Sequence, residues 1–214
     1  MKRILFQGDS VTDVSRSRDN DAYPGHGYPT FIKGRLGVDR PGEFECLNRG
    51  ISGNRVVDLY ARIRKDFIML KPDVISILIG INDVWHELGD RNGVEAGKFE
   101  RVYDWLCTEL EEALPGVKLV ILEPFVLPGG ATNPTEENPG RLEYFRTETA
   151  LRAQAARRVA QKHSAVFVEL QRSFDEACKK APPSWWLIDG VHPSSCGHEL
   201  IARRWIEETK DILL

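Results

Sequence analysis

The sequence predicts an α/β protein in which a parallel sheet lies between two layers of helices. Short apolar runs alternate with longer segments whose apolar residues recur at helical spacing. The chain has 214 residues, of which 42% are apolar and 29% charged, as in an ordinary globular domain. Because neither a repeat nor a linker interrupts the alternation, we expect residues 1–214 to form a single domain.

Strands are predicted where short apolar runs end at turn-forming or polar residues. The run Asp73–Ile81 is almost continuously apolar, which is typical of a strand covered on both faces. In chain order, the five predicted strands are Ile4–Phe6, Phe44–Leu47, Asp73–Ile81, Val117–Leu122 and Ala165–Glu169. Strands that alternate with helices form a parallel, doubly wound sheet, because right-handed crossovers put helices on both faces.

Helices are predicted between these strands. Val56–Leu70 carries its apolar residues on one face and is stopped by Pro72. The other predicted helices are Glu95–Ala113, Arg141–His163, Ser173–Lys180 and Gly197–Ile212. Two long loops remain, Ala181–Ser195 and Pro124–Gly140. The second is rich in Pro, Gly and Asn, and its length suggests function or mobility.

Composition argues against several classes of partner. A net charge of −3 gives no reason to expect nucleic acid or an anionic membrane as partner, and the longest apolar runs are too short to span a bilayer. The first residues lack the apolar core of a secretory signal. The cysteines, which have no zinc-site spacing, are Cys46, Cys107, Cys178 and Cys196. We therefore expect reduced thiols in a cytoplasmic protein.

Polar clusters occur where the predicted strands end. The first strand runs into GDS (8–10), the second into GISGN (50–54) and the third into GIND (80–83), while DGVHP (189–193) comes just before the final helix. In an open α/β sheet, ligands bind in the crevice at the carboxyl ends of the strands. These clusters are therefore where chemistry is expected.

Ser10 is the candidate nucleophile and His192 the candidate base. A serine at a strand–helix junction often only caps the helix, and it becomes a nucleophile when a base lies within hydrogen-bond reach. Asp189 precedes His192 by three residues, so it can fix the imidazole tautomer and stabilise the charged ring. Asp-Gly is also strong turn chemistry, so the loop taken alone leaves a simple turn open.

An oxyanion hole needs N–H donors aimed at developing negative charge. The backbone N–H groups of Ser10 and Gly53 and the side-chain amide of Asn82 are the candidates. Taken singly, Gly53 is explained by a turn and Asn82 by a loop cap. The combination indicates acyl transfer, because nucleophile, donors, base and acid all fall at one edge of one predicted sheet.

The motifs GDSVTD, GISGN, GINDVW and DGVHP resemble the four consensus blocks of the SGNH hydrolases, also called the GDSL family of esterases and lipases. The residues that match the four letters are Ser10, Gly53, Asn82 and His192. The blocks occur in the family order and extend from Asp9 to His198. GDSV in place of GDSL is a conservative apolar change that leaves the catalytic positions intact.

The resemblance implies a three-layer α/β/α, flavodoxin-like fold around the five-stranded parallel sheet. It also implies ester hydrolysis through a serine acyl-enzyme, with no metal and no other cofactor. The implied site consists of the triad Ser10, Asp189 and His192 and the oxyanion hole Ser10, Gly53 and Asn82. In this scheme Asp9 has a structural role and is not the triad acid.

Within the family, GINDVW and the early loop GDSVTDVSRSRD are similar to bacterial acetylesterases that act on xylan-derived oligosaccharides. Those proteins carry a tryptophan beside the catalytic aspartate, whereas here Leu187 and Ile188 separate Trp186 from Asp189. The resemblance implies a small acyl group, first of all acetyl. Trp85 and Trp186 are predicted to flank the substrate, although both are also explained as aromatics packed at the sheet edge.

Three other functions remain open. A lysophospholipase or thioesterase would need a longer acyl pocket, and the sequence has no obvious amphipathic lipid-docking helix. A non-catalytic carbohydrate-binding protein on the same fold would have a broken triad, yet every position is present. A metal-dependent hydrolase would have to use converging ligands, of which the candidates are Asp9, Asp83, Asp189 and His192.

The expected partner is an oligosaccharide or small-molecule ester. The acetylesterases that the chain resembles tend to assemble, so we also expect a homo-oligomer. The basic residues of the predicted helix Arg141–His163 are interpreted as a solvated face with a role in subunit contact: Arg152, Arg157, Arg158 and Lys162.

Overall fold

A five-stranded, all-parallel sheet forms the centre of the computed structural model, which describes residues 1–213. The strands are β1 (Lys2–Gly8), β2 (Phe44–Asn48), β3 (Val74–Leu78), β4 (Lys118–Leu122) and β5 (Val166–Val168). They lie in the order β2-β1-β3-β4-β5. This is the order of flavodoxin-like doubly wound sheets, so the predicted fold class is confirmed.

Helices and loops connect each strand to the next. The helices are α1 (Ser10–Asp13), α2 (Tyr28–Asp39), α3 (Val56–Ala61), α4 (Ile63–Asp66), α5 (Ile81–Asp90), α6 (Ala96–Ala113), α7 (Arg141–Lys162), α8 (Gln171–Cys178), α9 (Pro183–Trp186) and α10 (Ser195–Leu213). A 3-10 turn, Ile68–Leu70, precedes β3. Within residues 1–213, no helix has the length and apolar character needed to cross a membrane.

The sheet separates two apolar cores. In β1, Ile4 and Phe6 belong to one core and Leu5 to the other, as the two-residue period of a strand requires. The first core includes side chains of α2, α8 and α10, and the second includes side chains of α3, α6 and α7. The sheet is therefore the middle of three layers, and its carboxyl edge stays open for the site.

Sequence patterns miss helices α2 and α5. Helix α2 contains Pro29, Gly34 and Gly37, which weaken its helical periodicity. Helix α5 begins inside the predicted strand Asp73–Ile81, because Gly80 adopts a φ of +136° that turns the chain out of β3. The motif GIND therefore lies at the start of a helix and not in an open loop.

The single helix predicted over Val56–Leu70 is wrong. The helix breaks at Arg62, whose side chain donates to Asn54 Oδ1 at 2.9 Å and to Asp66 at 3.0 Å. The other predicted helices and strands agree with the structure apart from shifts of at most three residues at their ends. Within the predicted loop Ala181–Ser195, the structure has the short helix α9.

The basic face of α7 is only partly solvated. Arg152 is 2% exposed and donates to the carbonyl oxygen of Val94 at 2.7 Å, so its interpretation as a solvated residue is wrong. Val94 lies in the loop between α5 and α6, and its buried carbonyl oxygen needs a hydrogen-bond donor. The Arg152 guanidinium supplies that donor and so fixes the loop. Arg157, Arg158 and Lys162 lie nearer the surface, and each pairs with an acidic side chain.

Candidate active site

Ser10 is the first residue of α1, and only Asp9 separates it from the end of β1. Asp9 caps this one-turn helix, since its side-chain oxygen accepts the N–H of Val11 at 2.9 Å. Gly8 permits the sharp junction, because its φ is +154° and a Cβ there would lie 2.3 Å from the carbonyl oxygen of Leu78. The turn places Ser10 at the carboxyl edge of the sheet.

Ser10, His192 and Asp189 form one chain of hydrogen bonds. Ser10 Oγ lies 3.0 Å from His192 Nε2, and His192 Nδ1 lies 2.7 Å from Asp189 Oδ2. The structure thus brings together a hydroxyl from the start of the chain and an imidazole from near its end. Such an arrangement can move the serine proton to the imidazole while the carboxylate stabilises the charged ring.

The Asp189 carboxyl is held in its charged form. Its Oδ1 accepts the N–H groups of Val191 at 2.9 Å and His192 at 2.8 Å. Burial alone raises the pKa of Asp189, but these bonds and the His192 ring outweigh it and lower the pKa below its usual value. A charged Asp189 keeps the ring proton on Nδ1, so Nε2 is free to accept from Ser10.

The candidate oxyanion donors lie on loops that are joined to one another. Within residues 1–213, the backbone N–H groups of Ser10 and Gly53 donate to no protein acceptor. Asn82 Nδ2 donates to the carbonyl oxygen of Asn54 at 3.1 Å, and its second hydrogen remains available. Because Asn54 adjoins Gly53, this bond ties two of the three donors together.

The loop that carries Asp189 and His192 is supported by the long segment after β4. Leu127 N donates to the carbonyl oxygen of Gly190 at 2.9 Å. The two segments meet backbone to backbone, since a Cβ on Gly129 would lie 2.2 Å from the carbonyl carbon of Asp189. Sequence reasoning singled out this segment by its length but missed its partner. The paired glycines at 129 and 130 are the signal that could have indicated a close approach.

Three buried titratable groups surround the triad. Burial raises the pKa of both Asp9 and Asp83 to about 7. His198 accepts the N–H of Tyr28 at 3.2 Å, and burial together with the neighbouring His192 lowers its pKa to about 4. His198 is thus a neutral acceptor within the core, which leaves His192 as the ring able to exchange a proton with Ser10.

The two predicted substrate-binding tryptophans lie in different places. The Trp85 ring lies 5.9 Å from the His192 ring, measured between centroids, and packs edge-on against Phe145. Trp186 lies in α9, donates its indole N–H to Ala181 and lines a cavity of about 680 Å³ between α8 and α10. Because no triad residue lines that cavity, a substrate role for Trp186 stays a prediction, whereas Trp85 borders the candidate site.

The acidic residues considered for a metal are engaged elsewhere. Asp9 accepts from Val11, and Asp83 accepts the N–H of Val56 with both oxygens, at 3.1 and 3.3 Å. In the part of the chain that the structure describes, no group of three or more His, Cys, Asp or Glu side chains could hold a metal ion. The cysteines are free thiols, and Cys46 and Cys107 are buried.

Comparison with known proteins identifies the family of this site. The model of the GDSL-like lipase/acylhydrolase family matches residues 6–200. The chain belongs to this family. The resemblance read from the four sequence blocks is thereby confirmed, and this member of the GDSL family is a carboxylic ester hydrolase.

Relatives of known sequence and structure agree with the family match. An acetylxylan esterase from Geobacillus stearothermophilus is 32% identical over 97% of this chain and 93% of its own length. A crystal structure of an acetylxylan esterase from that organism has a TM-score of 0.83 at 33% identity, covering 97% of this chain and 93% of its own. A protein from Parabacteroides merdae described as a GDSL-like lipase has a TM-score of 0.90 at 35% identity, covering 98% and 95%.

Proposed function

We propose that this GDSL-family enzyme removes small acyl groups, acetyl foremost, from oligosaccharide esters through an acyl-enzyme on Ser10. The observation that carries the proposal is the pair of contacts from Ser10 Oγ to His192 Nε2, 3.0 Å, and from His192 Nδ1 to Asp189, 2.7 Å. A hydroxyl with a base this close can lose its proton as it attacks a carbonyl carbon, which a serine nucleophile requires.

In the first half-reaction, Ser10 Oγ attacks the ester carbonyl and its proton passes to His192 Nε2. Asp189 stabilises the resulting imidazolium. The carbonyl oxygen becomes an oxyanion and accepts from Ser10 N, Gly53 N and the Asn82 amide. When the tetrahedral intermediate collapses, the bond to the alcohol oxygen breaks, His192 protonates that oxygen and the acyl group stays on Ser10.

In the second half-reaction, water replaces the alcohol. His192 Nε2 takes one water proton as the water oxygen attacks the acyl carbon, and the same N–H donors hold the second oxyanion. Collapse breaks the bond to Ser10 Oγ, which regains its proton from His192. The products are the free carboxylic acid and unmodified enzyme.

Two observations, a similar protein and the position of Trp85, support an acetylated sugar as substrate, and a third supports the proposed catalytic residues. The curated relative is an acetylxylan esterase, and two variants of an acetylxylan esterase described as catalytic variants replace a serine and an aspartate. These are the residue types proposed here for the nucleophile and the acid. Trp85 beside His192 also offers an aromatic surface against which a sugar ring can pack.

Acetate release from acetylated xylo-oligosaccharides tests the proposed substrate. We expect the wild-type enzyme to release acetate and Ser10→Ala to release none above background, because without the hydroxyl no acyl-enzyme forms. A panel of acetylated sugars run in parallel identifies the preferred ester. Normal activity of folded Ser10→Ala would show that the nucleophile is another residue.

The acyl length is tested separately with the p-nitrophenyl esters of acetate, butyrate and octanoate. We expect kcat/KM to fall as the chain lengthens. A rise with chain length would favour the lysophospholipase or thioesterase alternative. Activity that survives EDTA but is lost to a serine-directed phosphonate would argue against the metal-dependent alternative.

We propose further that residues 1–214 act as one catalytic domain. Every proposed site residue lies at the carboxyl edge of one sheet or on a loop packed against it, and the family match spans residues 6–200. The expected homo-oligomer stays a prediction, and light scattering of the purified protein measures it directly.

A further inference from the structure

We propose that Asp13 is a positioning residue of the oxyanion hole, acting through Ser52 to hold the Gly53 N–H in place. Asp13 does not touch the substrate in this scheme. Its carboxylate instead fixes the loop of residues 50–54, which we call the oxyanion loop. Because Asp13 serves the chemistry of Ser10, its role rests on the proposed function.

Asp13 is the last residue of the helix that begins with Ser10 and is only 3% exposed. One oxygen of its carboxylate, Oδ2, gathers three donors. It accepts the backbone N–H of Ser52 at 3.0 Å, the Ser52 hydroxyl at 3.1 Å and the Arg18 guanidinium at 2.7 Å. The nucleophile helix and the oxyanion loop are thus joined by a charge-assisted contact.

Gly53 itself makes few contacts that could fix its backbone. Its φ is +83°, and no atom lies within 4 Å of the position that its Cβ would occupy. Its N–H lies in the peptide plane that begins at the Ser52 Cα. The bonds to Ser52 N and Oγ fix the position of that Cα, so that the direction of the donor depends mainly on the Ser52 ψ angle. Asn54 on the other side is held by Asn82. The residues on both sides of Gly53 are therefore held by hydrogen bonds, Ser52 by Asp13 and Asn54 by Asn82. Of these two supporting residues, only Asn82 is also a proposed oxyanion donor.

Arginine side chains complete this anchor. Arg16 donates to the carbonyl oxygen of Gly50 at 2.8 Å, and Arg18 donates to the same oxygen at 3.2 Å while also binding Asp13. The backbone approaches closely here, since a Cβ on Gly50 would lie 2.5 Å from the N–H nitrogen of Asp13. The start of the oxyanion loop is fixed against α1 at Gly50 and again at Ser52.

Asp13 stays charged while the proposed triad works. Burial raises its pKa, but the Arg18 and Ser52 donors outweigh burial and lower the pKa below the usual value. We therefore expect the contact to persist across the pH range in which His192 can act as a base. Removing it should lower the rate without moving the pH dependence of kcat.

Asp13→Ala would leave the N–H of Ser52 without its acceptor and loosen the oxyanion loop at Ser52, while the contacts at Gly50 and Asn54 remain. Complete loss of one oxyanion donor costs about 10²–10³ in rate, and a misdirected donor should cost less. We expect kcat for p-nitrophenyl acetate to fall about 10- to 100-fold, with KM changed by less than about threefold. Asp13→Asn keeps one acceptor oxygen and should retain more activity than Asp13→Ala.

The experiment compares wild type, Asp13→Ala, Asp13→Asn, Ser52→Ala and Ser10→Ala on p-nitrophenyl acetate. Asp104→Asn is the matched control, because that carboxylate also has a lowered pKa and pairs with Lys162, but on the distant surface of α6. The second readout is the inhibition constant of a boronic acid, whose tetrahedral adduct on a serine uses the oxyanion donors. We expect weaker inhibition in proportion to lost kcat, and no change for Asp104→Asn.

Each outcome decides between a positioning role and a general structural one. Asp13→Ala that is folded and within twofold of wild-type kcat would overturn the role of Asp13, and so would a lost kcat with unchanged boronic acid inhibition. If Asp13→Ala does not fold, Asp13→Asn and Ser52→Ala carry the same two readouts. Activity in Ser10→Ala would instead overturn the proposed function, so the two failures are distinguishable.

Discussion

The proposed site has two sides: a donor side that holds Ser10, Gly53 and Asn82, and a base side that holds Asp189 and His192. The two sides are supported by different parts of the molecule. Each donor-side residue comes soon after one of the adjacent strands β1, β2 and β3. The base side follows the short helix α9 and packs against the long segment after β4 through contacts between backbone atoms. The sheet thus determines the positions of the proposed donors. The position of the proposed base depends on the packing of its loop against the segment after β4.

The carboxyl groups of the two sides differ in the same way. On the donor side, burial raises the pKa of Asp9 and Asp83 to about 7. On the base side, donors surround Asp189 and lower its pKa despite burial. The donor side therefore uses Asp9 and Asp83 mainly as buried hydrogen-bond acceptors, with the charged carboxylate of Asp13 as its exception. The proposed base side needs a charge that stabilises an imidazolium.

The largest effect should come from the base side. His192→Ala removes the group proposed to accept the Ser10 proton, and loss of a triad member costs about 10⁴–10⁶ in kcat. The measurement is kcat for p-nitrophenyl acetate on folded protein. His26→Ala serves as the control and should stay near wild type. A His192→Ala enzyme within tenfold of wild type would leave the base unassigned.

A smaller effect is expected when one donor is lost. Asn82→Ala removes the amide that donates to the carbonyl oxygen of Asn54 at 3.1 Å and whose other hydrogen is proposed to bind the oxyanion. The expected loss is about 10²–10³ in kcat, because two backbone donors remain. Asn92→Ala, an exposed asparagine at the end of α5, is the matched control. Loss as large as that of His192→Ala would mean that the amide does more than bind the oxyanion.

The difference between the two sides also explains what sequence reasoning could reach. The donor side was predictable because Ser10 and Asn82 come within a few residues of the ends of strands whose apolar runs are visible in the sequence. The pair Asp189 and His192 was predictable from its three-residue spacing. The packing that supports this pair was not predictable. It is a contact between backbones at Gly129, and such a contact produces no pattern of side chains in the sequence.

The missed helices have a related cause. In α2, buried Tyr28, Ile32 and Leu36 define one face, but Pro29 and two glycines obscure the period. In the run ending at Ile81, strand and helix are continuous in hydropathy, and only the positive φ of Gly80 separates them. Tertiary packing determines that α2 forms and where β3 gives way to α5. The periodicity of apolar residues carries no information about that packing.

The dependence of the base side on loop packing is tested at Gly129. A Cβ there would lie 2.2 Å from the carbonyl carbon of Asp189, a distance that no relaxed structure allows, so Gly129→Ala must displace one backbone. We expect a loss of stability of about 1–3 kcal/mol, a lower kcat and little change in KM. Thermal melts and kinetics on the same sample measure both effects.

The adjacent glycine is a close control. Gly130 has no atom within 4 Å of its Cβ position and does not have a positive φ, so Gly130→Ala should change stability by less than about 0.5 kcal/mol. If the two variants behaved alike, the base side would not depend on that contact. If Gly129→Ala lost stability but kept kcat, the contact would support the fold and not the position of Asp189.

The smallest effect on chemistry, but a distinct one on stability, is expected from Asp9. Its pKa is about 7 in the folded protein and about 3.9 in an unfolded chain. Between these values the folded state holds a proton that the unfolded state has released, so the free energy of unfolding falls as pH rises, by up to about 1.4 kcal/mol per pH unit. Well above pH 7 both states are charged, and the dependence on this group disappears.

Asp9→Asn removes that linkage while keeping an oxygen that can cap α1 at Val11. Urea unfolding at several pH values from 5 to 8 should therefore show a shallower decline for Asp9→Asn than for wild type. Some decline should remain, because burial raises the pKa of Asp83 in the same direction. Asp19→Asn on the surface should reproduce the wild-type slope. An unchanged slope in Asp9→Asn would mean that Asp9 is already charged in the folded protein, and the donor side would then carry a buried negative charge facing His192.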